Sequence, residues 1–128
     1  MKADQRTPTR ILIVEDEPLI ALDVEQILVD SGFAIAGIAG TLDKALELVA
    51  LGGFDAAIVD ANLAGVNAAP VAAALTARGV PFITTSGYSP EKKIELSAAP
   101  FVEKPCRPER LLEALNRVLA TRRDCIST

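Results

Sequence analysis

The sequence predicts an α/β domain: a doubly wound, five-stranded parallel sheet with helices on both faces. Three observations predict it. Short apolar or β-branched runs alternate along the chain with stretches of helical periodicity. Those runs are continuously apolar, as strands covered on both faces must be. The length of 128 residues, 50% of them hydrophobic, supplies one sizeable core and leaves no room for a second ordinary domain.

The first strand is Ile11-Leu12-Ile13-Val14. Pro18 opens a helix in which Ile20, Val24, Ile27 and Leu28 share one face, and Gly32 stops it. The second strand runs from Phe33 to Ala39. Thr41 caps a second helix, whose Leu42, Ala45, Leu46 and Val49 form an inward stripe before Gly52-Gly53 breaks it. The third strand is Ala56 to Val59, and Asp60 to Asn67 read as a loop. An Ala-rich helix follows, with Pro70 in its first turn and Gly79 past its end. Pro81 to Thr85 form the fourth strand. Ser89-Pro90 open a fourth helix that is expected to be short and weakly held, since Ile94 and Leu96 are nearly its only large apolar residues before Pro100. Phe101-Val102-Glu103 form the fifth strand. Pro108 starts a last helix, with Leu111, Leu112, Leu115, Val118 and Leu119 facing inward. The domain is expected to span residues 10–120, with 1–9 and 121–128 as flexible tails.

Composition removes several classes of function. A net charge of -4, a pI of about 4.8 and no Lys or Arg block longer than a pair argue against a nucleic acid partner. No apolar run is long enough to insert in a membrane and the N-terminus is polar, so a cytoplasmic protein is expected. Cys106 and Cys125 have neither CxxC spacing nor the density of a disulfide scaffold, and read as unpaired thiols. Histidine is absent, which excludes a Ser-His-Asp or Cys-His relay, a His-ligated zinc and a phosphohistidine within the chain. Chemistry must then use carboxylates, hydroxyls, lysine or an oxygen-bound metal.

Parallel strands joined by right-handed crossovers gather their C-terminal ends on one edge. Glu15 and Asp16, with Glu17 just beyond, end the first strand; Asp60 ends the third; Thr84, Thr85 and Ser86 close the fourth; Lys104 follows the fifth. Clustered carboxylates repel, and protonation or a bound cation relieves the repulsion. Oxygen ligands without His or thiolate suit Mg2+. Such an ion would draw in a phosphoryl group, whose oxygens Lys104 and a hydroxyl could share.

Glu15-Asp16, the lone Asp60, Ser86-Gly87 and Lys104-Pro105, in this order at strand ends, resemble the receiver domain of bacterial response regulators over about Arg10 to Ala120. The segment from Pro81 to Tyr88 also resembles the FAT GUY subgroup of receivers, which is associated with HWE or related sensor kinases; Thr85 stands where that motif has Ala. The resemblance implies a flavodoxin-like receiver topology and a stand-alone phosphoreceiver. It makes Asp60 the phosphoacceptor and Asp16 a direct ligand of Mg2+. Glu15 acts on the ion directly or through water, and the backbone carbonyl of Asn62 completes the set. Glu17 is better read as an acidic start for the first helix dipole. The motif selects Ser86 as the hydroxyl that donates to a phosphoryl oxygen. Lys104 pairs with Asp60 when the site is empty and with the phosphoryl group when it is loaded, and its bond to Pro105 is of the kind commonly cis in receivers. Phe101 and Tyr88 are the candidate switch aromatics. The donor is expected to be a sensor histidine kinase or a histidine phosphotransfer protein. The signal is expected to leave through the face made by the fourth helix, fifth strand and last helix, or the chain serves as a phosphate sink or shuttle.

Other classes fit less well. A haloacid-dehalogenase-type hydrolase also uses an Asp nucleophile and Mg2+, but it needs a second Asp two positions on, where this chain has Asn62. A nucleotide-binding module lacks its GxGxxG after the first strand. A pseudo-receiver is disfavoured because every chemical position is filled.

Overall fold

The computed structural model of the chain describes residues 8–86, 100–104 and 107–127, with side chains through residue 120. Its elements run β1 (Arg10–Val14), α1 (Pro18–Asp30), β2 (Ala34–Ala39), α2 (Leu42–Leu51), β3 (Ala56–Asp60), β4 (Asn62–Leu63), β5 (Val66–Asn67), α3 (Ala69–Ala77), β6 (Phe82–Ser86), β7 (Phe101–Glu103) and α4 (Pro108–Ser127). Five strands pair in parallel in the order β2-β1-β3-β6-β7. The doubly wound sheet that the alternating pattern predicts is therefore present. Winding reverses between β1 and β3, the place where such sheets open a crevice at their C-terminal edge.

The unbroken apolar strands feed two separate cores. On β1, Ile11 and Ile13 enter a cluster with Ala21, Val24 and Leu28 of α1 and Leu111, Leu115 and Val118 of α4. Leu12 and Val14, pointing the other way, join Ala45 and Val49 of α2 and Val71, Ala72 and Leu75 of α3. This alternation is the period-two geometry of a strand. Each large aliphatic side chain so buried contributes about 1.5–3 kcal/mol. The predicted helix stripes are correct in direction but only their centres are buried: Ile20, Ile27, Leu42, Leu46, Leu112 and Leu119 pack half-buried at the margins.

Local signals act where the sequence places them. Pro18 sits at the start of α1, where a missing N–H costs nothing, and Glu17 occupies the cap position. The helix ends with Gly32 at φ +95°, and the N–H groups of Gly32 and Phe33 donate to the carbonyls of Val29 and Leu28 at 3.1 and 3.0 Å. That closure needs a left-handed residue, which glycine supplies without a Cβ penalty. Thr41 Oγ1 accepts from the N–H of Lys44 at 3.1 Å and caps α2, as expected.

Two expectations need correction. The stretch after Asp60 is not an irregular loop: Asn62–Leu63 and Val66–Asn67 pair antiparallel around the turn residues Ala64 and Gly65. The last helix does not stop at residue 120 but continues through Ser127, since the sequence beyond Pro108 holds neither glycine nor proline to end it. The predicted fourth helix with Ser89, Ile94 and Leu96 lies outside the described residues, as do Gly87, Tyr88, Pro105 and Cys106. Among the described residues no helix is long and apolar enough to cross a membrane.

Candidate functional site

Register brings the acidic residues together. Ile13 pairs with Ile58 and Val14 with Val59, so the next residues along these strands, Glu15 and Asp60, emerge side by side at the sheet edge. Asp60 in turn pairs with Thr85 on β6, and Ser86 pairs one step further on with Glu103 of β7. The N–H of Lys104 donates to the carbonyl of Ser86 at 2.9 Å, which sets the lysine at the same edge. Four residues distant in sequence thus meet for a purely topological reason.

The ammonium of Lys104 lies 2.9 Å from Asp60 Oδ2 and within 3.1–3.2 Å of both Glu15 carboxylate oxygens. Glu15 and Asp60 are 5% and 3% exposed, so both carboxylates are taken out of water and need these partners. Each has a second donor: the N–H of Glu17 reaches Glu15 Oε2 at 3.2 Å, and the N–H of Asn62 reaches Asp60 Oδ1 at 3.1 Å. Asp60 is therefore gripped through both oxygens and cannot swing freely.

Burial and the nearby Asp60 charge push the carboxyl of Glu15 above its ordinary value of 4.5, against the pull of Lys104 and the Glu17 N–H. Burial alone would lower the Lys104 ammonium, but its bonds to Asp60 and Glu15 outweigh that and hold it above 10.5. One ammonium does not fully offset the crowding of acidic groups. Ligand atoms of Glu15, Asp16 and Asp60 all lie within 4.8 Å of one another. An all-oxygen set with excess negative charge is the donor chemistry of a small hard dication, so the residues fit Mg2+.

Asp16, Glu17, Ile20, Asp60, Asn62, Ala64, Gly65 and Lys104 line a cleft of about 350 Å³ at this edge. Of the residues expected to act, Glu15, Asp16, Asp60, Asn62 and Lys104 are thus brought together. Ser86 is buried at the end of β6, one residue past the pair that Thr85 makes with Asp60. Phe101 is half-buried, pairs with Thr84 and lines a broader cleft of about 830 Å³ with residues of β7 and α4. Tyr88 lies outside the described residues. The hairpin wall formed by Ala64 and Gly65 was not foreseen, since Ala-Gly is not among the Asn-Gly, Asp-Gly or Gly-Gly pairs that signal such a turn and alanine disfavours positive φ. Nor was the Lys104–Glu15 contact, which depends on register that the sequence does not state.

The model of the response regulator receiver domain matches residues 11–116. The chain belongs to this receiver family. PdtaR of Mycobacterium tuberculosis, named a transcriptional regulatory protein, is 30% identical over 129 aligned positions, which cover 95% of this receiver but only 62% of PdtaR. The receiver thus spans less than two thirds of that relative's length. The solution structure of SdrG from Sphingomonas melonis Fr1 is 40% identical with a TM-score of 0.77, covering 88% of this chain and 97% of that one. A CheY-like receiver domain protein from Methanospirillum hungatei JF-1 is 27% identical with a TM-score of 0.79, covering 92% and 98%. The five-stranded flavodoxin-like topology is common to this receiver and these structures.

Proposed function

We propose that Asp60 is the phosphoacceptor of this receiver and takes its phosphoryl group from a phosphohistidine on a sensor histidine kinase or a histidine phosphotransfer protein. The observation that carries this reading is the grip on Asp60, with Oδ2 on Lys104 at 2.9 Å and Oδ1 on the Asn62 N–H at 3.1 Å, beside Glu15 and Asp16. An Asp60 oxygen attacks phosphorus, the P–N bond breaks, and the imidazole nitrogen keeps the electron pair and takes a proton. Asp16, Asp60 and the Asn62 carbonyl would hold Mg2+, with Glu15 directly or through water; when bound, the ion supplies charge neutralisation on the transferring oxygens. Lys104 exchanges its Asp60 contact for the new phosphoryl group. Ser86, at the end of the neighbouring strand, donates its hydroxyl to another phosphoryl oxygen.

The surface around the cleft supports a protein donor. Leu19, Leu22 and Val29 stand 81%, 57% and 49% exposed on the outer side of α1, whose Ile20 lines the cleft. Exposed large aliphatic residues in one stripe are a contact surface in search of a partner. Output through the face of β7 and α4 is supported by the half-buried Phe101 in the wide cleft beside Arg107, Arg110 and Arg117. Adding about -1.5 to -2 charge at Asp60 alters the pull on Lys104, which heads that face.

The test is phosphorylation with acetyl phosphate and Mg2+, read by intact mass. One phosphoryl group is expected on the native chain, none on Asp60→Asn, and much less on Asp16→Ala. Labelling that persists in Asp60→Asn overturns the assignment.

A further inference from the structure

The hairpin β4–β5 carries an unusual concentration of constraint for six residues. Ala64 has φ +51°, the one non-glycine residue with positive φ among the described residues, and Gly65 follows at φ +87°. Two successive positive φ values between paired strands make a two-residue turn of the primed kind. Asn62 Oδ1 accepts from the N–H of Gly65 at 2.7 Å and clasps that turn from the strand side. At the base, the N–H of Ala68 donates to the carbonyl of Ala61 at 3.0 Å, and the Leu63 side chain is buried in the α2–α3 core. The base is fixed and the tip walls the cleft.

The pairing then dictates which way the backbone of Asn62 faces. Leu63 and Val66 flank the turn, so they are the hydrogen-bonded pair, and Asn62 with Asn67 is the non-bonded pair that follows. In a strand the N–H and C=O of one residue lie on the same side, so at Asn62 both turn away from β5. Its N–H meets Asp60 Oδ1 at 3.1 Å, and its carbonyl therefore lies on the Asp60 edge. We propose that the Asn62 side chain is a positioning residue: by clasping the Ala64–Gly65 turn it holds its own backbone carbonyl at the cation site and so sets the affinity for Mg2+. This deepens the phosphoacceptor reading above and rests on it. The side chain acts through the turn and touches neither ion nor phosphoryl group in this role.

The clasp can be removed and replaced independently. In Asn62→Ala the turn loses its acceptor while keeping an alanine at positive φ. In the double variant Asn62→Ala with Ala64→Asn, the turn becomes Asn-Gly, the pair best suited to two positive φ values. Mg2+ alone is titrated into each metal-free full-length protein by calorimetry, with thermal midpoints recorded without metal. Asn62→Ala is expected to bind Mg2+ about three- to tenfold more weakly, the worth of one lost hydrogen bond. The double variant should regain most of that loss, and Ala64→Asn alone should bind at least as tightly as the native chain. If Asn62→Ala lowers the thermal midpoint yet leaves Mg2+ affinity unchanged, its role is structural only and the proposal is wrong. Failure of the Asn-Gly turn to restore affinity, while the Leu63 and Val66 amides keep their native exchange protection across the turn, overturns it as well. A native chain that binds no Mg2+, or binds it equally after Asp16→Ala, defeats the cation site itself rather than the clasp.

Discussion

Lys104 is the residue on which the charge balance of the site turns. Its ammonium is the partner that Glu15 and Asp60 share, and its side chain is only 15% exposed against 4% for each of theirs. Lys104→Met leaves two buried carboxylates facing each other without a counter-charge, so a loss of about 3 kcal/mol is expected in urea unfolding at neutral pH. Glu15 gives the opposite sign. Its carboxyl is raised above 4.5 by burial and by Asp60, so the folded state binds its proton more tightly than the unfolded chain does. Without metal, stability should therefore fall as pH rises through the window that opens at 4.5, and Glu15→Gln should flatten that fall in urea midpoints. For Lys104, raised above 10.5, the stabilisation is complete below that value and is lost only as pH climbs past the folded one. The identities of these residues were legible because each follows an apolar strand run. The Lys104–Asp60 pair was expected from the resemblance and is present, but the reach of Lys104 to Glu15 as well was not, because it is decided by the offset between strands.

At the scale of elements, caps and stops were the most readable features. Gly32 ends α1 and Thr41 caps α2 where the residue types require it. Thr41→Ala removes the acceptor for the Lys44 N–H and should cost about 1 kcal/mol, read as a lower thermal midpoint with unchanged Mg2+ affinity. The hairpin after Asp60 escaped because strands of two residues have no periodicity to detect. Its turn pair, Ala64-Gly65, is not one of those that signal a hairpin. The end of α4 escaped for the converse reason, an absence of any stop. In α1 the stripe of Ile20, Val24, Ile27 and Leu28 gave the right face, but Ala21 is buried where larger Ile20 is not. Close approach of helix to sheet favours the smaller side chain there.

For the whole molecule, the sheet is the instrument that turns scattered acidic residues into a site. Because the fold assembles the ligands, a cation that binds only the folded state must stabilise all of it. Mg2+ at ten times its dissociation constant is expected to add about 1.4 kcal/mol, seen as a higher thermal midpoint, and Asp16→Asn should abolish the increment. Since metal ligands must be deprotonated, the increment should also shrink with acid at a higher pH than an ordinary carboxylate would require, because Glu15 is raised. Both cores pack against β1 and β3, the strands at whose ends Glu15 and Asp60 stand, so Asp60 rests on strands covered on both faces. Lys104 does not. It follows β7, a three-residue strand at the border of the sheet that, among the described residues, pairs with β6 alone. On the proposed reading, a phosphoryl group at Asp60 would pull on an amine carried by the border of the sheet and not by its middle strands, so the load falls first on the rim.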